Sequence, residues 1–315
     1  MTLEFKSLLD LLEVFPTEQS RINYFEERRW KEKIVSPFDP TSEIYKCAKN
    51  RYWCKNTNKY FTVRNNSIFE GSRISFKNWF LSIYFLATTK KSVSTPQLAK
   101  FLGVTQKTAW FILNRLREAL NHPNFAKEIE MLGGVSVEVE IDETFSGGKN
   151  GNRHWDKKVP HSQGRSYKDK TPVLVMMERQ GNVITQVVPD TKRKTLEPII
   201  KEHVKGGSNV YTDEWHAYKN LGKKGYKHEI VNHRKKEYVN GKVHVNSAEN
   251  FNSHFKRNIY GIHHKVSKKH IQKYANESAM RHNTRNYTVK EKFDFILDST
   301  IGKRLTYKDL IKKDK

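Results

Sequence analysis

The chain has 315 residues, which is enough for one large domain with one or two small ones. Its 58 Lys and Arg against 34 Asp and Glu give a formal net charge of +24, which favours a polyanionic partner such as nucleic acid. No apolar run approaches the roughly 18–20 residues of a membrane span, the N-terminus lacks a signal-peptide pattern, and two cysteines make no disulfide framework. We therefore expect a cytoplasmic, DNA-associated protein with no membrane partner.

The first predicted region, residues 1–70, begins with a helix and continues as a small hairpin module. Leu8, Leu11 and Phe15 recur at helical spacing near the N-terminus. The aromatic-rich stretch that follows has short β-like runs separated by turn residues, as hairpins do.

The second predicted region, residues 71–125, is helical. Apolar spacing predicts one helix from Phe76 to Thr88. The next helix is capped near Ser94 and ends at Gly103, and Thr105 caps a third. Two helices joined by a tight turn with Gly predict a helix-turn-helix DNA-binding domain, although a three-helix packing module remains an alternative.

The third predicted region, residues 135–290, is an α/β domain. Three consecutive strand patterns are followed by alternating helix and strand, and Gly181-Asn182 is a two-residue hairpin signal between the second and third strands. This order predicts a mixed sheet with helices. Residues 291–315 are charged, and we expect a peripheral tail there.

Two aspartates end strands of this predicted sheet. Asp142 follows an alternating apolar run, and Asp213 ends a second strand. Acids at neighbouring strand ends can converge on hard cations such as Mg²⁺, which prefer oxygen ligands. Two such ions about 4 Å apart can activate the attacking oxygen and stabilise the leaving oxygen of a phosphodiester.

A third acid is expected from a helix packed over the sheet. The segment that begins at Asn246 or Ser247, either of which can cap it, reads as an amphipathic helix with Glu249 in its first turn. Lys256 lies seven residues later on the same face, where it can meet a phosphate.

Each acid can also be an ordinary turn or cap residue. Glu277 is a rival third acid, but Arg281 stands at i+4, which favours a structural ion pair within a helix.

Ordered sequence blocks across residues 45–290 resemble a known family. They include EIDETFSGGK, VYTDEWHAY, HVNSAENFNSHFKR and YGIHHKVSKKHIQKYANE. These blocks are similar to the DDE transposases of bacterial insertion sequences, in the IS-fifteen-ninety-five group related to the eukaryotic Merlin elements. The resemblance implies an RNase H-like catalytic core, dependence on Mg²⁺, for which Mn²⁺ can substitute, and strand transfer of an element with inverted terminal repeats.

Carried over position by position, the resemblance makes Asp142, Asp213 and Glu249 the catalytic and metal-binding acids and Lys256 the lysine that follows them. Some relatives have Asn at the third acidic position. One departure concerns the N-terminal region, where many relatives carry a four-Cys zinc ribbon. Two thiolates alone cannot close a tetrahedral zinc site, so we expect a degenerate zinc-ribbon-like segment without zinc.

DNA contacts are predicted in two places. In a helix-turn-helix motif, the N-terminal part of the second helix contacts base edges, and basic residues on that helix can contact phosphates. The candidates on this helix are Thr105, Gln106, Lys107 and Asn114 for bases and Arg115 and Arg117 for phosphates. In the loop after the first aspartate, Lys149 and Arg153 are expected to hold DNA near the scissile phosphate.

The predicted function is therefore a transposase that cuts the terminal repeats of an insertion sequence and joins them to target DNA. A homodimer is expected in the synaptic complex, by analogy, since two ends must be joined. Two alternatives stay open: a decayed or domesticated protein that binds DNA without cutting it, and an RNase H-like nuclease specific for DNA structure.

Overall fold

A computed structural model describes residues 4–121, 131–148, 150–160, 162, 166–232, 239 and 241–311. Within these ranges the helices and strands follow one another along the chain. They are α1 (Leu8–Val14), α2 (Glu18–Trp30), β1 (Ile44–Cys47), β2 (Arg51–Cys54), β3 (Lys59–Thr62), α3 (Phe76–Thr88), α4 (Thr95–Leu102), α5 (Gln106–Ala119), β4 (Glu138–Ser146), β5 (Thr171–Glu178), β6 (Val183–Val187), α6 (Arg193–His203), β7 (Asn209–Asp213), β8 (Lys227–Val231), α7 (Asn246–Asn258), α8 (Ile271–Asn283), α9 (Val289–Asp298) and α10 (Tyr307–Ile311). None of these helices is long and apolar enough to cross a membrane.

The chain divides into two compact units. The first combines residues 1–125 with 286–315, and the second is residues 126–285. The regions predicted as separate domains over 1–70 and 71–125 therefore fall into one unit, and the α/β unit ends at Arg285.

The small sheet of the first unit has the strand order β1-β2-β3 and is antiparallel throughout. In its first hairpin, Cys47 pairs with Arg51 and Cys54 pairs with Ile44. The two cysteines thus lie at opposite ends of the hairpin, roughly 10 Å apart at about 3.3 Å per residue. That separation is too large for both thiols to ligate one ion.

The helices of the first unit pack around an aromatic core. Helix α3 has the predicted bounds, and Trp79, Phe80 and Ile83 on its inner face are buried. The prediction of a peripheral tail over 291–315 is wrong for α9. Phe293 of α9 is fully buried, and its ring lies 5.2 Å from the ring of Phe80. Between its charged residues, α9 carries an apolar stripe that packs into the core of the first unit.

Helices α4 and α5 are joined by the tight turn that the sequence predicts. The hydroxyl of Ser94 accepts the N–H of Gln97 at 3.3 Å, and Gly103 ends α4 in the left-handed region with φ 63°. A side chain there would strain the backbone. Thr105 caps α5 by accepting the N–H of Thr108 at 3.3 Å.

The second unit is built on a five-stranded sheet with the order β6-β5-β4-β7-β8. The first three strands along the chain form antiparallel neighbours, and β7 and β8 run parallel to β4. This mixed sheet agrees with the predicted α/β class. Strand β4 lies at its centre, with β5 paired along Val139 to Ser146 on one side and β7 paired along Glu138 to Ile141 on the other.

Each face of this sheet has its own apolar core. On one face, Leu196 and Ile200 of α6 pack with Ile141, Met176 and their neighbours. On the other face, α7 and α8 pack on β5 and β6, with Phe251 and Phe255 of α7 contributing the largest side chains. Because side chains alternate along a strand, the even-numbered residues of β4 lie on the face that α7 covers.

Candidate active site

The two predicted aspartates lie side by side where β4 and β7 run parallel. Ile141 is in register with Thr212, so Asp142 and Asp213 follow at the same level on strands about 4.8 Å apart. Asp213 is buried, with 5% of its surface exposed, and its Oδ1 accepts the N–H of Trp215 at 3.0 Å. The two carboxylates therefore occupy adjacent positions on β4 and β7. Asp213 ends β7 as predicted, but the prediction that Asp142 ends its strand is wrong, because β4 continues to Ser146 along β5.

The charges of both aspartates contribute to the raised pKa of a buried tyrosine, Tyr218. Burial, and then the charges of Glu143, Asp213 and Asp142, raise the pKa of Tyr218 well above its usual value. Its hydroxyl therefore stays protonated, and it donates to Oε1 of Glu143 at 2.6 Å. Glu143 thus has a buried, protonated partner beside the two aspartates.

Helix α7 is anchored to β4 by a glutamate that the sequence analysis missed. Oε2 of Glu140 accepts the backbone N–H groups of Ser247 and Ala248 at 2.8 and 3.0 Å. The predicted cap by Asn246 or Ser247 is wrong, since both lie inside the helix. An anionic oxygen from the neighbouring strand instead satisfies the first turn and complements the positive end of the helix dipole.

Glu140 is itself held by a buried ionic network. Its side chain has no exposed surface, and its Oε1 accepts Nε of Arg179 at 2.9 Å. Arg179 also donates to Glu138 at 2.7 Å and to the carbonyl of His244 at 3.1 Å. This network ties the segment that precedes α7 to the centre of the sheet, and so fixes where α7 begins.

One turn along α7, a second contact joins the helix to β4. Nδ2 of Asn252 donates to Oδ2 of Asp142 at 2.8 Å. Asn252 is buried, with 5% of its surface exposed, whereas Glu249 and Lys256 on either side of it in the helix are exposed. Glu140 and Asn252 together set the height and rotation of α7 over the aspartates.

An open cleft of about 880 Å³ lies between β4 and α7. It brings together three of the predicted catalytic residues, namely Asp142, Glu249 and Lys256. The remaining lining residues are Glu143, Phe145, Gly147, Gly148, Asn152, Lys170, Asn252, Ser253, Tyr260 and His264. Asp213 is not among them, and it is connected to the cleft through its register with Asp142. Within the described part of the chain, no three His, Cys, Asp or Glu side chains are grouped closely enough to hold a metal ion.

The rival third acid is a structural residue, as predicted. Glu277 is buried, with 2% of its surface exposed, and its Oε1 accepts Nη2 of Arg281 at 2.9 Å. Both lie on α8 at i and i+4, away from the cleft lining. This ion pair within α8 is the structural role that the sequence favours for Glu277.

The basic loop after β4 borders the same region. Gly147, Gly148 and Asn152 line the cleft, and Arg153 donates to the carbonyl of Asp169 at 3.2 Å in a side pocket next to it. Asn150 closes the loop through two hydrogen bonds with the backbone of Val159, at 2.8 and 3.0 Å. Trp155 lies between these two residues in the loop, with 85% of its surface exposed. Lys149 lies outside the described residues.

The predicted DNA contacts on α5 divide into two groups. Gln106 and Lys107 in its first turn are exposed, as a base-reading position requires. The predictions for Asn114, Arg115 and Arg117 are wrong, because all three are buried, with 1–3% of their surface exposed.

These three polar residues are structural. Nδ2 of Asn114 donates to the carbonyl of Trp110 at 2.9 Å, and Arg117 donates to Ser92 Oγ at 3.1 Å. Arg115 donates to the carbonyls of Ile68 and Glu70. The guanidinium groups thus tie α5 to loops of its own unit and are not available to phosphates.

Three buried residues around the aspartates were not predicted, although they lie in the same sequence blocks as the aspartates. Glu140 and Glu143 lie within the same block as Asp142, and Tyr218 ends the block that contains Asp213. Their partners lie 39 to 108 residues away along the chain, so spacing alone does not reveal the contacts.

Comparison with known proteins identifies the family. A sequence profile of the ISXO2-like transposase domain matches residues 131–283, which span the sheet, α7 and α8. The chain is similar to an uncharacterized protein in transposable element ISH50 of Halobacterium salinarum, with 26% identity over 305 residues that cover 92% of this chain and 99% of that protein. It is also similar to an uncharacterized transposase-like protein of Haemophilus influenzae, with 32% identity over 114 residues that cover 36% of this chain and 89% of that protein. The chain therefore belongs to the ISXO2-like transposases, in the IS-fifteen-ninety-five group.

Proposed function

We propose that this transposase cuts DNA strands at the inverted terminal repeats of its element and joins them to target DNA, with Asp142, Asp213 and Glu249 as its catalytic acids. One observation carries the proposal. Asp142 and Asp213 are neighbours in register on two parallel strands, and Asp142 shares its cleft with Glu249 and Lys256. We propose that the sheet order, with α7 over its central strand, is an RNase H-like core.

The donor set at the cleft fits a hard divalent cation. Asp142, Asp213 and Glu249 offer carboxylate oxygens, the ligands that Mg²⁺ prefers. Oδ1 of Asn252, beside Asp142, is buried and accepts no hydrogen bond from the described residues, so an oxygen is available there as well. When bound, Mg²⁺ or Mn²⁺ supplies Lewis acidity that lowers the cost of charge on the attacking and leaving oxygens.

The reaction has two phosphoryl transfers. In the first, water attacks the phosphorus at the end of the element, and the bond to the 3′-oxygen breaks to leave a 3′-hydroxyl and a 5′-phosphate. In the second, that 3′-hydroxyl attacks a target phosphodiester and displaces a target 3′-oxygen, so one phosphodiester replaces another. The carboxylates position the reacting phosphate, and Lys256 holds its non-bridging oxygens by charge and hydrogen bonds.

Double-stranded DNA is the proposed partner, as both terminal repeats and target. The net charge of +24 supplies the attraction that phosphates require. Gln106 and Lys107, exposed at the start of α5, are proposed to read the repeat. Arg153 and Lys149 in the basic loop are proposed to hold the strand near the cleft, and two protomers to hold two ends in the synaptic complex.

An excision assay in cells tests this function. Asp142→Ala, Asp213→Ala and Glu249→Ala should each abolish excision of a marked element, whereas Glu229→Gln, at an exposed carboxylate on β8, should excise normally. Excision by either aspartate variant would refute the assignment. Binding of terminal-repeat DNA by the native protein without cleavage would favour the DNA-binding alternative, and cleavage of branched DNA without regard to the repeats would favour the nuclease.

A further inference from the structure

The polar side chain of Asn252 is buried in a way that the fold does not explain. Its Nδ2 donates to Oδ2 of Asp142 at 2.8 Å, and a carboxylate accepts only from the amide nitrogen, which fixes the orientation of the group. The amide oxygen, Oδ1, is then the atom of the group that makes no hydrogen bond to Asp142. It is buried, and among the described residues no donor reaches it.

An unpartnered buried carbonyl oxygen costs free energy that a bound group can recover. Asn252 lines the cleft beside Asp142, and it lies three residues after Glu249 on the same face of α7. The position therefore offers a neutral oxygen next to carboxylates. A cation is the natural occupant, because the surrounding carboxylates attract it and repel an anionic ligand.

The neutrality of this oxygen matters for the whole ligand set. Mg²⁺ and Mn²⁺ accept amide carbonyl oxygens together with carboxylates. A fourth carboxylate at this position would add repulsion among the ligands, whereas an amide adds a ligand without charge. The same side chain also fixes the carboxylate of Asp142 through Nδ2, so a single residue can orient one ligand and supply another.

We infer that Asn252 is a ligand of the divalent cation at Asp142, through Oδ1, in addition to positioning the Asp142 carboxylate through Nδ2. The inference rests on the proposed function, which places a cation at this cleft. It adds a residue on the buried side of α7 to the acids that the sequence singled out, and it gives the two ends of one amide separate tasks.

Two substitutions separate the tasks of the two amide atoms. Asn252→Asp keeps an oxygen but cannot donate to Asp142, whereas Asn252→Leu keeps the approximate volume and removes both functions. Asn276→Leu on α8 is a matched control, since Asn276 is also a buried helical asparagine, with 8% of its surface exposed, and lies away from the cleft lining. Thermal denaturation of each full-length variant verifies that it is folded.

The measurement is the dissociation constant for Mn²⁺ on the full-length protein without DNA, from the electron paramagnetic resonance signal of free Mn²⁺. We expect Asn252→Leu to weaken Mn²⁺ binding about tenfold or more. Asn252→Asp should bind Mn²⁺ at least as tightly as the native protein, and Asn276→Leu should match the native protein.

Native affinity in Asn252→Leu would overturn the inference. Binding as weak in Asn252→Asp as in Asn252→Leu would also overturn it, because the donor role alone would then explain the residue. If Asn252→Leu does not fold, the Asn252→Asp result decides alone. Asp142→Asn tests the cation site itself, apart from the role of Asn252. Equal Mn²⁺ affinity in this variant and the native protein would show that no cation binds at Asp142, and it would contradict both the proposed function and the inference about Asn252.

Discussion

Replacing Glu140 with Gln tests how α7 is held. The carboxylate is fully buried, and each of its oxygens has more than one donor. Oε2 accepts the first two N–H groups of α7, and Oε1 accepts Arg179 and the Ser247 hydroxyl, the latter at 3.1 Å. The amide of Gln keeps one acceptor and turns an NH₂ group toward one of these sets of donors. One set is therefore left without an acceptor, whichever way the amide turns.

The expected loss of stability follows from burial. A hydrogen bond to a charged group contributes about 1.5–3 kcal/mol, and breaking a buried ion pair costs about 3–5 kcal/mol. Arg179 keeps Glu138 as a partner, which places Glu140→Gln at the lower end, near 3 kcal/mol. For a unit of this size, that loss lowers the midpoint of thermal unfolding by roughly 6–12 °C.

Glu138→Gln is the matched control. It removes the same charge from the same network, but the Glu138 side chain is 25% exposed. Solvent can replace part of its interaction with Arg179, so we expect a loss of no more than about 1 kcal/mol. Unfolding is followed by far-UV circular dichroism in urea and on heating, with both variants measured beside the native protein.

Glu140→Gln should also lose activity. With the first turn of α7 released, Glu249 and Lys256 lose their fixed position over the aspartates, so strand cleavage should fall even at temperatures where the variant is folded. A midpoint within about 2 °C of the native protein would refute the account of Glu140. Equal losses in the two variants would refute the argument from burial.

Three further results are expected. Lys107→Ala should weaken binding to terminal-repeat DNA more than binding to unrelated DNA, measured by fluorescence anisotropy; an equal loss on the two DNAs would mean that Lys107 reads no base. Arg117→Met should lower the unfolding midpoint without changing DNA affinity, because its guanidinium is buried against Ser92; weaker DNA binding in a fully folded variant would contradict this. Burial lowers the pKa of His228 and of His282 in the folded protein. Below about pH 6.5 the unfolded chain therefore binds protons that the folded chain does not, and the free energy of unfolding decreases as the pH is lowered. A variant with both histidines replaced by Asn should lose less of its unfolding midpoint than the native protein between about pH 7.5 and about pH 5.5, and an equal loss would refute this cause.

The sequence predicts well where a property depends on neighbours along the chain. Apolar spacing gives α3 its bounds, and Gly103 and Thr105 mark the turn between α4 and α5 because their backbone roles are local. Alternation of apolar residues places Asp142 and Asp213 in strands, and the parallel register then sets them side by side.

The failures share a physical cause, which is contact between residues distant along the chain. Arg115 is a basic residue on a helix predicted to bind DNA, but its guanidinium donates hydrogen bonds to carbonyls about 45 residues away inside the same unit. The cap of α7 comes from Glu140, 107 residues before Ser247. In α9, Phe293 is buried among aromatic rings that the charged local composition does not reveal.

Cleavage of terminal-repeat DNA by the purified protein is the most direct test of the central claim. The account predicts that, with Mg²⁺, the native protein and Glu229→Gln nick the end of the element and leave a 3′-hydroxyl. Asp142→Asn and Asp213→Asn should each lower the single-turnover rate by about a thousandfold, which corresponds to the loss of about 4 kcal/mol of transition-state stabilisation. Cleavage at the native rate by either aspartate variant would contradict the account.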